Sequence, residues 1–367
     1  MKLRALVVDD SILFRQVISD VLTELDHVEV IGTASNGSIG LKRIEQFKPD
    51  LVTLDIEMPE MDGLTALKEI TRKFPQTKVI MLSALTKQGA KVTIEALASG
   101  AFDFIEKPDS QDPEESEKLL KRQLKRIINI LVTREILNSE GKSVFTQTAS
   151  VSAKVKSQST EDVLQRINAI HAKAKIGVVA IGISTGGPGA LPVLLAKFPR
   201  DLNVPILIVQ HMPALFVTAL VDSLNRISPF PVSEAQTEEQ LKPNHIYIAP
   251  GGKQMKVLRK PGRPDPVIAL TDDPPENFCK PSVDYMFRSL SSAYGPRTLA
   301  VIMTGMGRDG TSGLQTLKQQ NATVFAQDEA SSVVFGMAME AIKANVVDET
   351  FPLDQLAQAI HKRVKQY

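Results

Sequence analysis

Val178-Val179-Ala180-Ile181-Gly182-Ile183-Ser184-Thr185-Gly186-Gly187-Pro188 is the stretch from which the fold is read. Its first six residues are apolar or glycine, which suits a strand buried on both faces of a parallel sheet. The run breaks into glycines, and a helical pattern from Ala190 through Leu195 follows. Strand, tight turn and helix together present a side chain at the carboxyl edge of an α/β sheet. Ser184 stands at that turn. Gly182-Ile183-Ser184-Thr185-Gly186 also fits G-x-S-x-G, a bend that leaves a serine hydroxyl open to an incoming carbonyl. Alone, the stretch reads equally as a glycine-rich phosphate or dinucleotide loop, or as a plain strand–helix turn.

The chain's 367 residues allow two domains with sizeable cores. With 43% hydrophobic and 23% charged residues the balance is that of a globular protein, not a disordered one. A net charge of +1 gives no global field toward nucleic acid or anionic lipid. Cys279 is the sole cysteine, which excludes an internal disulfide and fits a reducing compartment. Met1-Lys2-Leu3-Arg4 runs into a strand pattern without the apolar segment of a signal peptide, and no apolar run is long enough to span a bilayer. The expectation is a soluble cytoplasmic protein with no membrane insertion and no nucleic-acid partner.

In the first half, strands over 3–8, 28–33, 51–54, 78–82 and 102–105 alternate with helices of ten residues or more. That alternation predicts a parallel, doubly wound sheet. Asp9, Asp10, Asp55, Ser83 and Lys107 each follow a strand, so they share the edge where such sheets bind ligands. Crowded carboxylates repel unless a cation neutralises them, and oxygen ligands with room for water suit Mg²⁺. Lys107 adds a point charge for a phosphoryl oxygen, and Ser83 adds a hydroxyl donor. Asp55, on a central strand, is the best nucleophile for accepting a phosphoryl group.

These residues resemble the receiver domain of bacterial response regulators. The resemblance rests on Val7-Val8-Asp9-Asp10-Ser11, Leu54-Asp55-Ile56-Glu57-Met58-Pro59-Glu60-Met61-Asp62-Gly63, Met81-Leu82-Ser83-Ala84 and Glu106-Lys107-Pro108, over about residues 1–125. It implies a flavodoxin-like (βα)5 fold and phosphorylation of Asp55 by a histidine kinase. It also implies Mg²⁺ held by Asp10, Asp55 and the main-chain carbonyl of Glu57, with Asp9 beside them. Ser83 and Lys107 would sense the phosphoryl oxygens, and Phe104 would be the switch aromatic.

Residues 112–137 read as a mostly helical segment with a basic, solvated face. Residues 138–160, rich in Ser, Thr, Lys, Gln and Ala, read as a flexible linker, and 161–174 as a short helix. The segment from 126 to 175 is thus expected to join two domains.

The second domain is expected over 176–367, an α/β sheet with an antiparallel edge. Its strong strands end at Ser184, at His211-Met212-Pro213, and at Thr304-Gly305-Met306-Gly307-Arg308-Asp309-Gly310. Shorter strands at 232–234, 246–249, 255–258 and 267–270 lie close together, which suggests antiparallel or mixed pairing. Ser184, His211 and Asp309 form the set that ester or amide hydrolysis needs: nucleophile, proton carrier and orienting carboxylate. Gly305-Met306-Gly307 supplies bare amides suited to an oxyanion hole. The order Ser, His, Asp differs from that of an α/β-hydrolase, so that fold is rejected. Cys279 is disfavoured as a nucleophile because no histidine stands near it in the sequence. His27, His171, His245 and His361 fit structural roles.

Residues 176–350 resemble the catalytic domain of chemotaxis protein-glutamate methylesterases. The matches are Ile181-Gly182-Ile183-Ser184-Thr185-Gly186-Gly187, Val209-Gln210-His211-Met212-Pro213, Tyr247-Ile248-Ala249-Pro250-Gly251-Gly252, Pro281-Ser282-Val283-Asp284, Thr304-Gly305-Met306-Gly307-Arg308-Asp309-Gly310 and Ala326-Gln327-Asp328-Glu329. By resemblance Ser184 is the nucleophile, His211 the base and Asp309 its orienter. The Met306 amide lies in the oxyanion hole, and the Thr185 hydroxyl lies near the histidine. Ile183, Cys279 and Ala338 depart from the family pattern, outside the triad. The resemblance implies a phosphorylation-activated hydrolase that removes methyl esters from chemoreceptor glutamates and deamidates receptor glutamines, with no cofactor for hydrolysis. The unphosphorylated receiver is expected to cover the triad, held by the linker at roughly millimolar effective concentration. Two other readings remain: a phospho-switched adaptor with a degenerate esterase domain, and the same esterase in a non-flagellar signalling system.

Overall fold

The computed structural model describes residues 2–108, 113–139, 174–263 and 265–366. The first unit runs β1 (Leu3–Val8), α1 (Ile12–Thr23), β2 (Val28–Ala34), α2 (Gly37–Phe47), β3 (Leu51–Asp55), α3 (Gly63–Lys73), β4 (Lys78–Ser83), α4 (Lys87–Ala98), β5 (Asp103–Glu106) and α5 (Pro113–Ser139). Its strands pair in parallel in the order β2-β1-β3-β4-β5. Alternate strand residues face opposite layers: Ala5, Val7 and Leu51 in one apolar cluster, Leu6, Val8 and Val52 in the other. The first four helices start at capping side chains. Ser11, Asn36, Asp62 and Thr86 each accept from the backbone N–H three residues on. The chain goes from β1 out to β2, then returns to the other side of β1 through β3. That reversal opens a crevice at the carboxyl ends of β1 and β3.

The second unit runs β6 (Val178–Ile183), α6 (Gly187–Leu195), β7 (Ile206–Gln210), α7 (Ala214–Asn225), β8 (Val232–Glu234), β9 (Ile246–Ile248), β10 (Gln254–Leu258), β11 (Val267–Thr271), α8 (Val283–Ala293), β12 (Thr298–Ile302), α9 (Thr311–Gln319), β13 (Thr323–Gln327), α10 (Met337–Lys343), β14 (Glu349–Phe351) and α11 (Leu353–Lys365). Seven strands form a parallel sheet in the order β14-β13-β12-β6-β7-β9-β8. Again the order reverses, here between β6 and β12, so the deciding strand sits beside the crevice. Val179, Ile181 and Ile183 of β6 face one core, Val178 and Ala180 the other. Each fully buried aliphatic side chain there contributes roughly 1.5–3 kcal/mol.

The short strands over 232–270 divide in a way that spacing alone does not show. β10 and β11 do pair antiparallel, as a separate two-stranded sheet. β8 and β9 instead extend the main sheet in parallel. The segment between Glu234 and Ile246 is long enough to carry the chain back as a crossover rather than turn as a hairpin. The short α10 and β14 have too few residues to show a period in the sequence.

The first unit lies against the second. Helix α4 packs on α6 and α7, and its Ala90, Ile94 and Leu97 share a core with Ile183, Leu191 and Phe216. The rings of Phe104 and Phe216 are 4.4 Å apart between centroids. Val334 joins the first unit's cluster of Phe102, Ile105 and Leu124. The expected linker and short helix fall outside the described residues, apart from 138–139 at the end of α5 and residue 174. No helix among the described residues is long and apolar enough to cross a membrane.

Candidate active site and phosphoryl site

Ser184, His211 and Asp309 come together because β12, β6 and β7 are adjacent. Ser184 follows β6, His211 follows β7, and Asp309 lies in the loop leaving β12. His211 Nε2 is 2.8 Å from Asp309 Oδ2. The ring therefore turns Nδ1 away from the carboxylate and toward Cys279 Sγ, 3.6 Å away. Gly186 takes φ 82° at the start of α6, a left-handed conformation that glycine accepts without strain. Gly305 permits a second close approach, since a Cβ there would lie 2.3 Å from Met337 Sδ and 2.8 Å from Ser184 Cβ. The loop carrying Met306 thus closes against Ser184.

Asp309 is almost fully buried, and its carboxylate is saturated with donors. Oδ2 accepts from Val283 N (2.8 Å), and Oδ1 from Ser282 Oγ (2.8 Å), Asp284 N (3.1 Å) and Asn277 Nδ2 (3.1 Å). It rests on the amino-terminal turn of α8, where amide donors and the helix dipole favour an anion. Burial alone would raise its pKa, but His211 and these amides outweigh burial and lower it to about 2. Burial likewise lowers the pKa of His211, but Asp309 and Cys279 outweigh it and raise the imidazole to about 9.

Five positions go beyond, or against, the sequence reading. Cys279, disfavoured for lack of a nearby histidine, places Sγ 3.6 Å from His211 Nδ1. The loop before α8 folds back across the sheet edge and makes a contact that sequence distance hides. The Thr185 hydroxyl, expected near the histidine, donates to Asp103 Oδ2 of the first unit at 3.1 Å. Gln210 received no role, yet its Nε2 donates to the carbonyls of Ser184 (3.0 Å) and His211 (3.2 Å), tying the two strand ends together. Ser282 and Asn277 received none either. The signal available for Ser282 was its place as a capping residue in Pro281-Ser282-Val283-Asp284. Of the remaining histidines, His245 stacks on Tyr247 and bonds Ser233, and His361 bonds Asp201. His171 lies outside the described residues.

In the first unit, carboxylate oxygens of Asp9, Asp10 and Asp55 lie within 4.8 Å of one another. Lys107 Nζ bridges Asp9 Oδ2 (2.9 Å) and Asp55 Oδ2 (2.8 Å). Burial pushes Asp55 up to about 6, against the lowering effect of Lys107 and with a further push from Asp9. A half-open cluster of oxygen donors around one point, with exposed Asp10 and Glu57 at its rim, fits a hard divalent cation that keeps some water. Ser83 is fully buried, and its Oγ lies 2.7 Å from Thr93 Oγ1, so its hydroxyl is engaged with α4.

Residues 179–360 match the family model for the CheB methylesterase, and residues 5–119 that for the response regulator receiver domain. A protein-glutamate methylesterase/protein-glutamine glutaminase of Desulfotalea psychrophila is 44% identical over 366 residues, covering 100% of this chain and 99% of that protein. The protein of the same name from Bacillus subtilis is 40% identical over 369 residues, covering 99% of each. The crystal structure of the Thermotoga maritima CheB methylesterase catalytic domain superposes with a TM-score of 0.50 at 34% identity, covering 52% of this chain and 99% of that one.

Proposed function

As this chain belongs to the protein-glutamate methylesterase/protein-glutamine glutaminase family, we propose that it hydrolyses the γ-methyl esters of chemoreceptor glutamates under the control of its receiver. The products are methanol and the free carboxylate. Hydrolysis of receptor glutamine to glutamate and ammonia follows the same route. The observation that carries this reading is the convergence of Ser184, His211 and Asp309 on three adjacent strand ends, with the His211–Asp309 contact at 2.8 Å. An adaptor with a degenerate second domain has no observation in its favour.

The chemistry follows from the ring orientation. Asp309 accepts from Nε2–H; with the ring's pKa raised to about 9, the catalytic base is the deprotonated minority of the imidazole, which carries its lone pair on Nδ1. Ser184 Oγ attacks the ester carbonyl while Nδ1 takes its proton. The Met306 amide receives the oxyanion, a contribution on the order of 3 kcal/mol to the barrier; the Gly305 amide, expected to be bare, already donates to the Val334 carbonyl at 2.9 Å. The tetrahedral adduct expels methoxide, which His211 protonates to methanol. Water, deprotonated by Nδ1, then attacks the acyl-enzyme and returns the serine. Asp309 stays ionised throughout, as its lowered pKa allows.

The receiver restrains this site. Asp103 holds Thr185 next to the nucleophile, and Phe104 lies on Phe216 of α7. Asp10, Asp55 and the Glu57 carbonyl would hold Mg²⁺, which would neutralise charge on a phosphoryl group at Asp55. The phosphoryl oxygens draw Lys107 and the Ser83 hydroxyl, which leaves Thr93. Phe104 moves with Ser83, and the contact with Phe216 is lost. The phosphodonor is a histidine kinase and the setting is the cytoplasm.

The deciding experiment measures methanol release from methyl-labelled receptor membranes, with and without acetyl phosphate and Mg²⁺. Activity that rises on phosphorylation and disappears in Ser184→Ala supports enzyme and switch together. Activity indifferent to phosphorylation keeps the esterase and removes the switch. No release from any receptor overturns the reading.

A further inference from the structure

The thiol of Cys279 and Nδ1 of His211 face each other at 3.6 Å. A tetrahedral Zn²⁺ about 2.3 Å from a sulfur and about 2.0 Å from a nitrogen holds those two atoms about 3.5 Å apart. The pair therefore already has the separation that a shared zinc ion imposes. Cys279 is half-buried, and its thiol also reaches the Asn277 carbonyl at 3.4 Å. Asp309 completes a cluster whose ligand atoms fall within 4.8 Å. Its carboxylate, however, is already taken up by Val283, Asp284, Ser282 and Asn277 as well as by Nε2. It acts as the outer partner in a carboxylate–histidine–metal arrangement, fixing the ring and leaving the Nδ1 lone pair toward the thiol.

We propose that Cys279 Sγ and His211 Nδ1 form a site for a thiophilic divalent cation, with Zn²⁺ the fitting ion, and that its occupancy silences the esterase reversibly. Binding replaces the thiol proton by the metal, and the proton leaves to solvent; no electron transfer is involved. The remaining coordination positions go to water. The ion occupies the same lone pair that must accept the Ser184 proton, so metal binding and catalysis exclude each other. Mg²⁺ does not compete, because a thiolate–imidazole pair is too soft for it. The effect on activity rests on the role given above to His211, whereas metal binding itself does not.

The test uses the full chain in excess Mg²⁺, which occupies the receiver carboxylates, with free Zn²⁺ set by a chelator. Zinc is expected to remove most esterase activity, and chelation to restore it. Cys279→Ala, compared with its own zinc-free rate, should resist. Equal inhibition in Cys279→Ala, or no inhibition, would overturn the proposal. Co²⁺ gives a readout independent of turnover. Ser184→Ala, which is inactive, should show a thiolate-to-cobalt charge-transfer band that the Cys279→Ala/Ser184→Ala double variant lacks. Absence of that band in Ser184→Ala also overturns the site, even if the esterase reading stands.

Discussion

The hydroxyl of Thr185 donates to Oδ2 of Asp103 across 3.1 Å, so the residue beside Ser184 is held by the last strand of the receiver. Burial raises the pKa of Asp103, and Arg126, the Phe104 amide and Thr185 only partly offset it. Arg126 Nη2 stands 3.8 Å away. Docking adds burial, which raises this pKa, and the Thr185 donor, which lowers it; where burial dominates, docking takes up a proton. Docking is therefore strongest below the ordinary carboxylate range and weakens as pH rises through the raised value. The ratio of phosphorylated to unphosphorylated activity should fall as pH rises, and Asp103→Asn should flatten that dependence. Using the ratio cancels the titration of His211, which affects both states. A flat ratio in the unsubstituted protein would contradict this account.

Phe104→Ala removes a ring packed at 4.4 Å on Phe216. An aromatic pair contributes about 0.5–1.5 kcal/mol beyond its buried area. The unphosphorylated enzyme should become roughly three- to tenfold more active, while the phosphorylated rate stays where it was. Initial rates of methanol release in the two states decide it; equal rates for variant and parent in the unphosphorylated state would count against the contact.

Ser282→Ala takes one of the donors from Asp309 and the capping side chain from α8. With the imidazole less firmly oriented, kcat should fall about tenfold at nearly constant KM, a loss of about 1.4 kcal/mol in the transition state. The lost cap should lower unfolding stability by about 1 kcal/mol. Steady-state kinetics and denaturant melts measure both. Ser282→Thr, which keeps the hydroxyl, should recover most of kcat; if it does not, Ser282 is structural and not a positioning residue.

Mg²⁺ should stabilise the receiver through Asp10 and Asp55, whose oxygens share the cluster with Asp9. At a hundredfold excess over its dissociation constant a ligand adds about 2.7 kcal/mol by mass action. Thermal melts should shift upward on adding Mg²⁺ and return on chelation, and the shift should be small in Asp10→Asn. An unchanged melt in the parent chain would remove Mg²⁺ from the receiver reading.

The strand–helix alternation and the polar residues at strand ends were legible in the sequence because both are local. A buried parallel strand is a continuous apolar run, as in Val178–Ile183, and the residue that ends it is at the sheet edge wherever the strand sits. Ser184, His211, Asp9, Asp10, Asp55 and Lys107 are placed at the sheet edge on that basis, whereas Asp309 stands further along the loop after β12. Strand pairing was less legible. The parallel placement of β8 and β9 depends on where an eleven-residue connection leads, and spacing does not encode that.

What the sequence determined by itself was thus the periodicity of each element and the chemistry that terminates each strand. Tertiary structure decided which side chains meet. The order β12-β6-β7 brings three distant strand ends side by side. The fold-back of the 277–284 loop sets Cys279 on Nδ1 and four donors around Asp309. The docking of two separate units gives Thr185 to Asp103. Hydrophobic patterning acts through near neighbours along the chain, whereas a hydrogen bond between residues 82 positions apart exists only once the sheets and the interface have formed.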